Sequence, residues 1–202
     1  MQTQRFRNTW QLAVVVLMSW LLAGCGINNI PRYDEQVKSA WSQVENQYQR
    51  RADLIPNLVE TVKGFARQEQ ETLTAVVEAR ARATSIQVDA NTLDDPQKLQ
   101  QFQQAQNQLT GALSRLMAVS ERYPELKSNQ NFLALQSQLE GTENRITVAR
   151  QRYIASVQDY NVTVRQFPKN LTAMVFGYDT KPSFTVENEK AISTAPTVDF
   201  GK

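Results

Sequence analysis

Histidine is absent from this 202-residue sequence, and Cys25 is its only cysteine. Histidine is the commonest general base and metal ligand, so its absence removes the residue that most catalytic and metal sites use. A lone cysteine excludes an intramolecular disulfide and, without histidine, the usual zinc and iron–sulfur sites. The seven glycines are scattered and form no phosphate-binding loop. The sequence therefore predicts no catalytic residue, no metal and no cofactor, and it favours a protein that is not an enzyme.

A basic block is also lacking. The chain has 22 basic and 20 acidic residues, and two of the basic ones, Arg5 and Arg7, lie in residues 1–24, which hold no acid. Residues 25–202 are therefore formally neutral. Because nucleic-acid binding depends on the neutralisation of phosphates by basic side chains, no nucleic acid is predicted as a partner.

The amino terminus has the parts of a secretory signal. Two arginines precede an apolar run of about 11 residues from Leu12 to Leu22, and Ala23-Gly24-Cys25 follows. The run is well short of the roughly 20 residues that span a bilayer. The end of this segment resembles a bacterial lipobox, which implies cleavage before Cys25 and a diacylglycerol on its thiol. We expect residues 1–24 to be a cleaved lipoprotein signal peptide; an uncleaved membrane anchor is the alternative.

The predicted location follows from the same segment. Residue 26 is Gly and not Asp, the residue that in Gram-negative bacteria usually retains a lipoprotein in the inner membrane. By that resemblance the protein belongs to the bacterial cell envelope, in the outer membrane facing the periplasm if the source is Gram-negative. Residues 25–32 are expected to form a short lipidated tether.

Three apolar stripes at three- and four-residue steps predict three long helical segments. The first runs from about Tyr33 to Ser85, and we expect either one helix bent near Pro56 or two helices that meet there. The second starts at Asp95-Pro96, a capping residue followed by a favourable first helical residue, and ends near Arg122. The third runs from Phe132 to Phe167 with nearly heptad spacing. Its stripe is expected to be intramolecular core, although self-association as a homo-oligomer stays open.

A dense apolar cluster follows Pro168. It is expected to form a short turn or helix that folds back on one end of the bundle, with 182–184 continuing as a C-terminal strap. Residues 185–202 are polar and small and are expected to be a disordered tail. The predicted fold class is all-α: an elongated antiparallel bundle of three to four long helices over residues 33–184.

Several motifs resemble the LemA family. They are VKSAWSQVE at 37–45, RRADLIPNLV at 50–59, YPELK at 123–127, NFLALQ at 131–136 and LEGTENRI at 139–146. The resemblance covers about residues 33–184 and implies an α-helical bundle tethered to a bacterial membrane by its N-terminus. Many members resemble proteins with a transmembrane anchor, whereas this sequence carries a lipobox. The family has no established activity, so the resemblance supplies no catalytic or binding residues.

Two polar stretches are candidate sites. Arg51, Asp53, Pro56 and Asn57 surround the expected kink and form either a docking site or a specified bend with a surface Arg–Asp pair. There, Pro56 frees the carbonyl of Ala52, which Asn57 could bind. The second stretch, 142–145, interrupts the apolar stripe of the third helix. It is expected to form either a polar pocket between helices or a polar layer that sets the register of the helices.

Two hypotheses for function follow. The leading one is a lipid-anchored, non-enzymatic bundle that acts as a scaffold or adaptor for another envelope protein. The alternative is a sensor that binds a small ligand or peptide in an inter-helix groove near Pro56.

Overall fold

The computed structural model describes residues 29–89 and 93–184. These contain helices α1 (Asn29–Phe65), α2 (Gln70–Ser85), α3 (Pro96–Ser120), α4 (Pro124–Lys127), α5 (Gln130–Arg165) and α6 (Lys169–Phe176). The predicted all-α bundle is confirmed, with four long helices. The predicted signal peptide, the lipid attachment at Cys25 and the tail at 185–202 lie outside the described residues. The first helix begins at Asn29, so the last four residues of the predicted tether are helical.

The helices alternate in direction along the bundle. Trp41 of α1 stacks edge-on against Tyr153 of α5 with ring centroids 5.3 Å apart. Ten residues further along α1, Arg51 pairs with Glu143, ten residues earlier in α5. The two helices are therefore antiparallel, and the N-terminus of α1 lies beside the C-terminus of α5. This end of the bundle is called the tether end below, because the predicted lipid site at Cys25 precedes it.

α2 and α3 complete the bundle. α2 turns back along α1, and α3 runs antiparallel to α2, as shown by the bonds from Gln106 to the Ala83 carbonyl and from Arg122 to Glu69. α2 is short, and residues 86–89 continue along the bundle beyond it. The Trp41 indole N–H donates to the carbonyl of Val88 in this segment, which holds the segment against α1.

The apolar stripe of α5 forms core as predicted. Its steps of three and four residues keep one helix face turned inward. The buried members of the stripe are Phe132, Leu139, Thr142, Ile146, Ala149, Tyr153, Val157, Tyr160 and Val164. Phe167 was placed on the same stripe, but α5 ends at Arg165 and Phe167 is 75% exposed. The stripe therefore ends where the helix does.

Neither alternative for the first predicted segment is right as stated, because the segment forms two helices, α1 and α2, that do not meet at Pro56. α1 continues through Pro56 to Phe65, and the chain turns at 66–69. Glu69 in this turn accepts hydrogen bonds from Arg122 and Tyr123, which fix the turn against the start of α4. The bend at Pro56 itself stays a prediction.

The predicted start of α3 is confirmed. The Asp95 carboxylate accepts hydrogen bonds from the backbone N–H groups of Gln97 and Lys98, and Pro96 occupies the first helical turn. Asn129 caps α5 in the same way, by accepting from the backbone of Phe132. These caps satisfy backbone donors that a helix start leaves without intrahelical partners.

The core consists of two apolar clusters along the bundle axis. The cluster at the tether end contains Ile30, Trp41, Phe102 and Tyr153 among others. The distal cluster contains Ile55, Leu109, Leu116 and Phe132 among others. Between the two lies a buried polar layer around Arg51, described below. Within 29–89 and 93–184, no helix is both long and apolar enough to cross a membrane.

Candidate interaction site

Arg51 points into the bundle, and its side chain is only 2% exposed. One terminal nitrogen, Nη1, donates to Glu143 Oε1 at 2.8 Å and to Thr110 Oγ1 at 2.9 Å. The other, Nη2, donates to Gln106 Oε1 at 2.5 Å. The guanidinium carbon also lies 5.0 Å from the ring centroid of Tyr48, within cation–π range. Arg51 thus joins α1, α3 and α5 through one charged group.

This arrangement corrects the predicted surface pair between Arg51 and Asp53. The two residues are neighbours in sequence but point away from each other, because positions two apart lie on different sides of a helix. Asp53 is exposed and accepts a hydrogen bond from Gln49 of its own helix. Arg51 pairs instead with Glu143, which belongs to the second polar stretch noted in the sequence. Arg51 of the first candidate site therefore bonds Glu143 of the second, whereas Asp53 lies outside this polar layer.

The second polar stretch is divided: Thr142 and Glu143 contribute to the polar layer, whereas Asn144 and Arg145 line an open groove of about 410 Å³ between α1 and α5. Thr142 is fully buried, and its hydroxyl donates to the carbonyl of Gln138 in its own helix. Glu143 reaches Arg51 at the level where the two apolar clusters separate. The terminal nitrogens of Arg51 reach their acceptors only when the three helices are aligned at this level. The buried charge therefore fixes the register of the helices.

Pro56 and Asn57 are exposed on the outside of α1. Pro56 leaves the Ala52 carbonyl without its helical donor. That carbonyl accepts a hydrogen bond from Arg80 Nε of α2 at 2.7 Å, and not from Asn57 as the sequence suggested. The bond explains why the helix continues through Pro56. It depends on a residue 28 positions away, which local sequence reasoning does not reach.

The strap, residues 178–184, is fastened to the tether end. The Asn161 side-chain amide exchanges two hydrogen bonds with the backbone of Lys181, at 2.8 and 3.0 Å. The Tyr153 hydroxyl donates to the carbonyl of Pro182 at 3.1 Å. Phe184 packs against Tyr153, with ring centroids 5.3 Å apart. The predicted strap therefore lies along α5 and covers the tether-end cluster.

Lys181 adds an ion-pair network to the strap. Its buried ammonium lies 3.0 Å from Asp34 of α1 and 2.6 Å from Asp94 of the segment before α3. Burial of the lysine opposes its charge, but the hydrogen bonds to Asp94 and Asp34 outweigh burial, so its pKa is raised. Burial also opposes the charge on Asp34, yet hydrogen bonds from Lys38 and Lys181 hold the pKa of that carboxyl below its ordinary value.

An open groove runs along α5 beside the strap and encloses about 550 Å³. Its apolar residues include Val162 and Ile154, which are 55% and 39% exposed. Ser183 also lines the groove, and its hydroxyl is buried with no hydrogen-bond partner among the described residues. The remaining lining residues are Val157, Gln158, Asn161, Arg165 and Gln166. An apolar floor with polar residues at its edge is typical of a surface that binds a peptide segment or helix.

Sequence reasoning did not find this groove. Its exposed apolar residues, Ile154 and Val162, lie off the buried stripe of α5. The signal that the sequence offers for such a groove is the presence of apolar side chains outside the pattern of three- and four-residue steps. Scattered exposed apolar residues are normal, so only the neighbouring strap makes a groove of them.

The apolar cluster after Pro168 corrects another prediction. It was expected to be covered when the chain folded back on the bundle end. Residues 169–176 do form a short helix, α6, but only Ala173 in it is buried. Five large apolar side chains are exposed: Phe167, Leu171, Met174, Val175 and Phe176. The strap that follows packs against the bundle, whereas this cluster does not.

The model of the LemA family matches residues 40–200, which is most of the chain and includes α1 to α6 from residue 40 onward. No curated protein matches the chain.

Proposed function

The chain belongs to the LemA family, and from that premise we propose that it is a lipid-anchored, non-enzymatic scaffold that holds a segment of another envelope protein. The proposal rests on the groove along α5. It combines exposed Val162 and Ile154 with a buried, unbonded hydroxyl at Ser183. An apolar segment of a partner would cover the two aliphatic side chains, and the exposed polar side chains of Gln158 and Arg165 at the groove edge would bond its backbone.

The groove has the dimensions for such a segment. Its volume of about 550 Å³ falls within the range of roughly 300–1,000 Å³ typical of binding clefts. Its lining follows three turns of one rigid helix, so a bound helix or extended strand would lie along α5. A preformed surface of this kind binds without the entropy cost of ordering a loop.

The charged groups inside the bundle support a structural role. Arg51 bonds to Gln106, Thr110 and Glu143, and Lys181 bonds to Asp34 and Asp94. Each of these groups is bonded to side chains from other parts of the bundle, although Lys181, Asp34 and Asp94 also line an open groove of about 580 Å³ at the tether end. Among residues 29–89 and 93–184, no cluster of acidic, histidine or cysteine side chains has the arrangement of a metal site.

The membrane tether of this proposal comes from the sequence. The apolar run before Cys25 and the small residues at 23 and 24 support lipid attachment, and Gly26 favours the outer membrane facing the periplasm. Mass spectrometry of the mature N-terminus tests it. We expect a chain that begins at Cys25 and carries acyl groups; an intact signal with an unmodified thiol would contradict the tether.

Val162→Asp tests the groove, and Val77→Asp is its matched control. Both residues are half-exposed helical valines, but Val77 lies on α2 beside the distal cluster. A charge in the groove should repel an apolar segment, so a partner captured from detergent-solubilised envelopes by the wild type and by V77D should be lost with V162D. Equal recovery by both variants, or no specific partner with any of them, would contradict the scaffold proposal.

The alternative sensor near Pro56 has less support. The polar groups that a ligand would bind there are the terminal nitrogens of Arg51 and the Ala52 carbonyl, and these are already bonded inside the protein. Pro56 and Asn57 lie on an outer helix face. A thermal-shift screen of envelope metabolites and peptides separates the two functions, because a sensor at this site requires stabilisation by a ligand that an Asn57→Ala variant no longer binds.

A further inference from the structure

α6 presents one apolar face to solvent. Leu171, Met174 and Val175 are three and four residues apart and therefore share a face, and Met174 and Val175 are 80% and 79% exposed. Ala173 points the opposite way and is buried in the tether-end cluster. The exposed side chains Phe167, Leu171, Met174, Val175 and Phe176 are called the α6 patch below. Contiguous apolar patches on a soluble surface are uncommon and usually mark a contact with a protein or a membrane.

The α6 patch lies at the tether end. Ala173 belongs to the same buried cluster as Ile30, which is in the first turn of α1. Lys181, just after α6, pairs with Asp34 of α1 at 3.0 Å. Cys25 precedes the start of α1 by four residues, which span at most about 14 Å when fully extended. An acyl group on Cys25 would therefore hold this end of the bundle against the bilayer.

The charges around the α6 patch also fit a lipid headgroup layer. Arg32, Arg165 and Lys169 lie at this end, in the first turn of α1, the last residue of α5 and the first residue of α6. Asp179 is the exposed acid nearest in sequence to the patch. Basic residues beside an apolar face are typical of helices that lie in the interface of a membrane with anionic lipids.

We propose that α6 lies in the membrane interface, with the α6 patch in contact with the acyl chains of the bilayer. The inference rests on the lipid tether of the proposed function, and it adds a second contact with the same membrane. The bilayer is the occupant because the tether keeps it within reach of the patch at all times. A second contact would also fix the direction in which the bundle and the α5 groove face, which a flexible lipid tether alone does not.

A fluorescent label on Met174→Cys tests the contact, with Val77→Cys as the control. The sequence has no cysteine besides Cys25. When Cys25 is acylated, the introduced cysteine is therefore the one reactive thiol of either variant. Both positions are exposed, and the substitutions leave the core intact. The full chain is purified from membranes and reconstituted in vesicles of phosphatidylethanolamine with a minor fraction of phosphatidylglycerol. The label at 174 should be quenched by lipids with a quencher in the acyl chain, and the label at 77 by aqueous iodide.

The outcomes separate the α6 contact from the tether. If the chain stays on the vesicles and both labels respond to iodide alone, the α6 contact is overturned and the tether stands. If the label at 174 is shielded from iodide but not quenched by the lipid, a protein surface covers the patch, and the proposal is also overturned. Release of the chain from the vesicles, with an unmodified Cys25, would overturn the tether and this inference with it.

Discussion

Single residues in this bundle act through partners that lie far away in sequence. Pro56 lies in the interior of a 37-residue helix, where a proline normally interrupts hydrogen bonding and often kinks the chain. The loss of that helical hydrogen bond is offset because Arg80 of α2 donates a hydrogen bond to the Ala52 carbonyl, which Pro56 frees. The proline thus creates an acceptor on α1 that only a neighbouring helix can satisfy, which ties α2 to one position along α1.

Arg80→Met should show this coupling. The variant leaves the buried Ala52 carbonyl without a donor, so the free energy of unfolding should fall by about 1–2 kcal/mol. In a Pro56→Ala background, the restored backbone N–H of residue 56 donates to the Ala52 carbonyl. Arg80→Met should then lower the free energy of unfolding by about 1 kcal/mol less than it does in the wild type. Urea unfolding of the four chains measures the cycle.

Arg82→Met is the control for this cycle. Arg82 lies on the same helix, is 59% exposed and has only a long contact of 3.9 Å with Glu78. Its replacement should change stability by no more than about 0.5 kcal/mol in either background. Additive effects of the Arg80 and Pro56 substitutions would contradict the role assigned to Arg80.

At the scale of elements, the strap decides what the tether end exposes. Residues 178–184 are held by side chains of α1 and α5 and by the segment before α3, whereas α6 just before them leaves most of its apolar residues in solvent. Gly177 allows this change of direction, because its φ of 70° lies in the left-handed region that favours glycine. The sequence predicted a short helix folded back on the bundle end and a strap that continues from it, but most apolar side chains of that helix stay exposed.

Lys181→Met tests the fastening of the strap. The variant leaves Asp34 without one of its two cationic partners, and the free energy of unfolding near neutral pH should fall by about 2 kcal/mol. Asp34 has a pKa below its ordinary value of 3.8 in the folded protein, so its contribution is complete above that value. As the pH falls through and below about 4, the unfolded chain binds the proton first and the contribution is lost. The difference between wild type and variant should therefore narrow in acid.

Lys127→Met is the matched control for the strap. Lys127 pairs with Glu121 on the surface, and both side chains are more than half exposed. Exposed pairs contribute about 0–1 kcal/mol, so this variant should resemble the wild type at every pH. A constant difference between wild type and K181M from neutral to acidic pH would show that the ion pairs of Lys181 do not fasten the strap.

At the scale of the whole molecule, the polar layer divides one long core into two clusters. Arg51 on α1, Gln106 on α3 and Glu143 on α5 meet at one level of the bundle. Long apolar stripes alone would allow neighbouring helices to slip by a turn with little loss of buried area. The layer removes that freedom, because a slip would leave the arginine buried without acceptors.

Arg51→Met should cost about 3 kcal/mol of unfolding free energy, since it removes one partner and leaves buried acceptors unpaired. Arg50→Met is the control, because its side chain is exposed one position earlier, and it should cost less than about 0.5 kcal/mol. The triple variant R51M/Q106L/E143L should recover most of the loss, since it fills the layer with apolar groups. Denaturant unfolding checks all three. The role of the layer is contradicted if R51M costs no more than R50M.

The sequence by itself determined the helical class, the buried stripes, the start of α3 and the family. These features depend on periodicity, capping residues and motifs, all of which can be read from residues close together in the sequence. The predicted lipid site at Cys25 also comes from sequence alone. Only the tertiary structure decided the partners of Arg51 and of the Ala52 carbonyl, the turn at 66–69 in place of Pro56, and the exposure of α6. Each of these depends on which helix lies opposite at a given level of the bundle, and that choice is made by contacts between residues tens of positions apart.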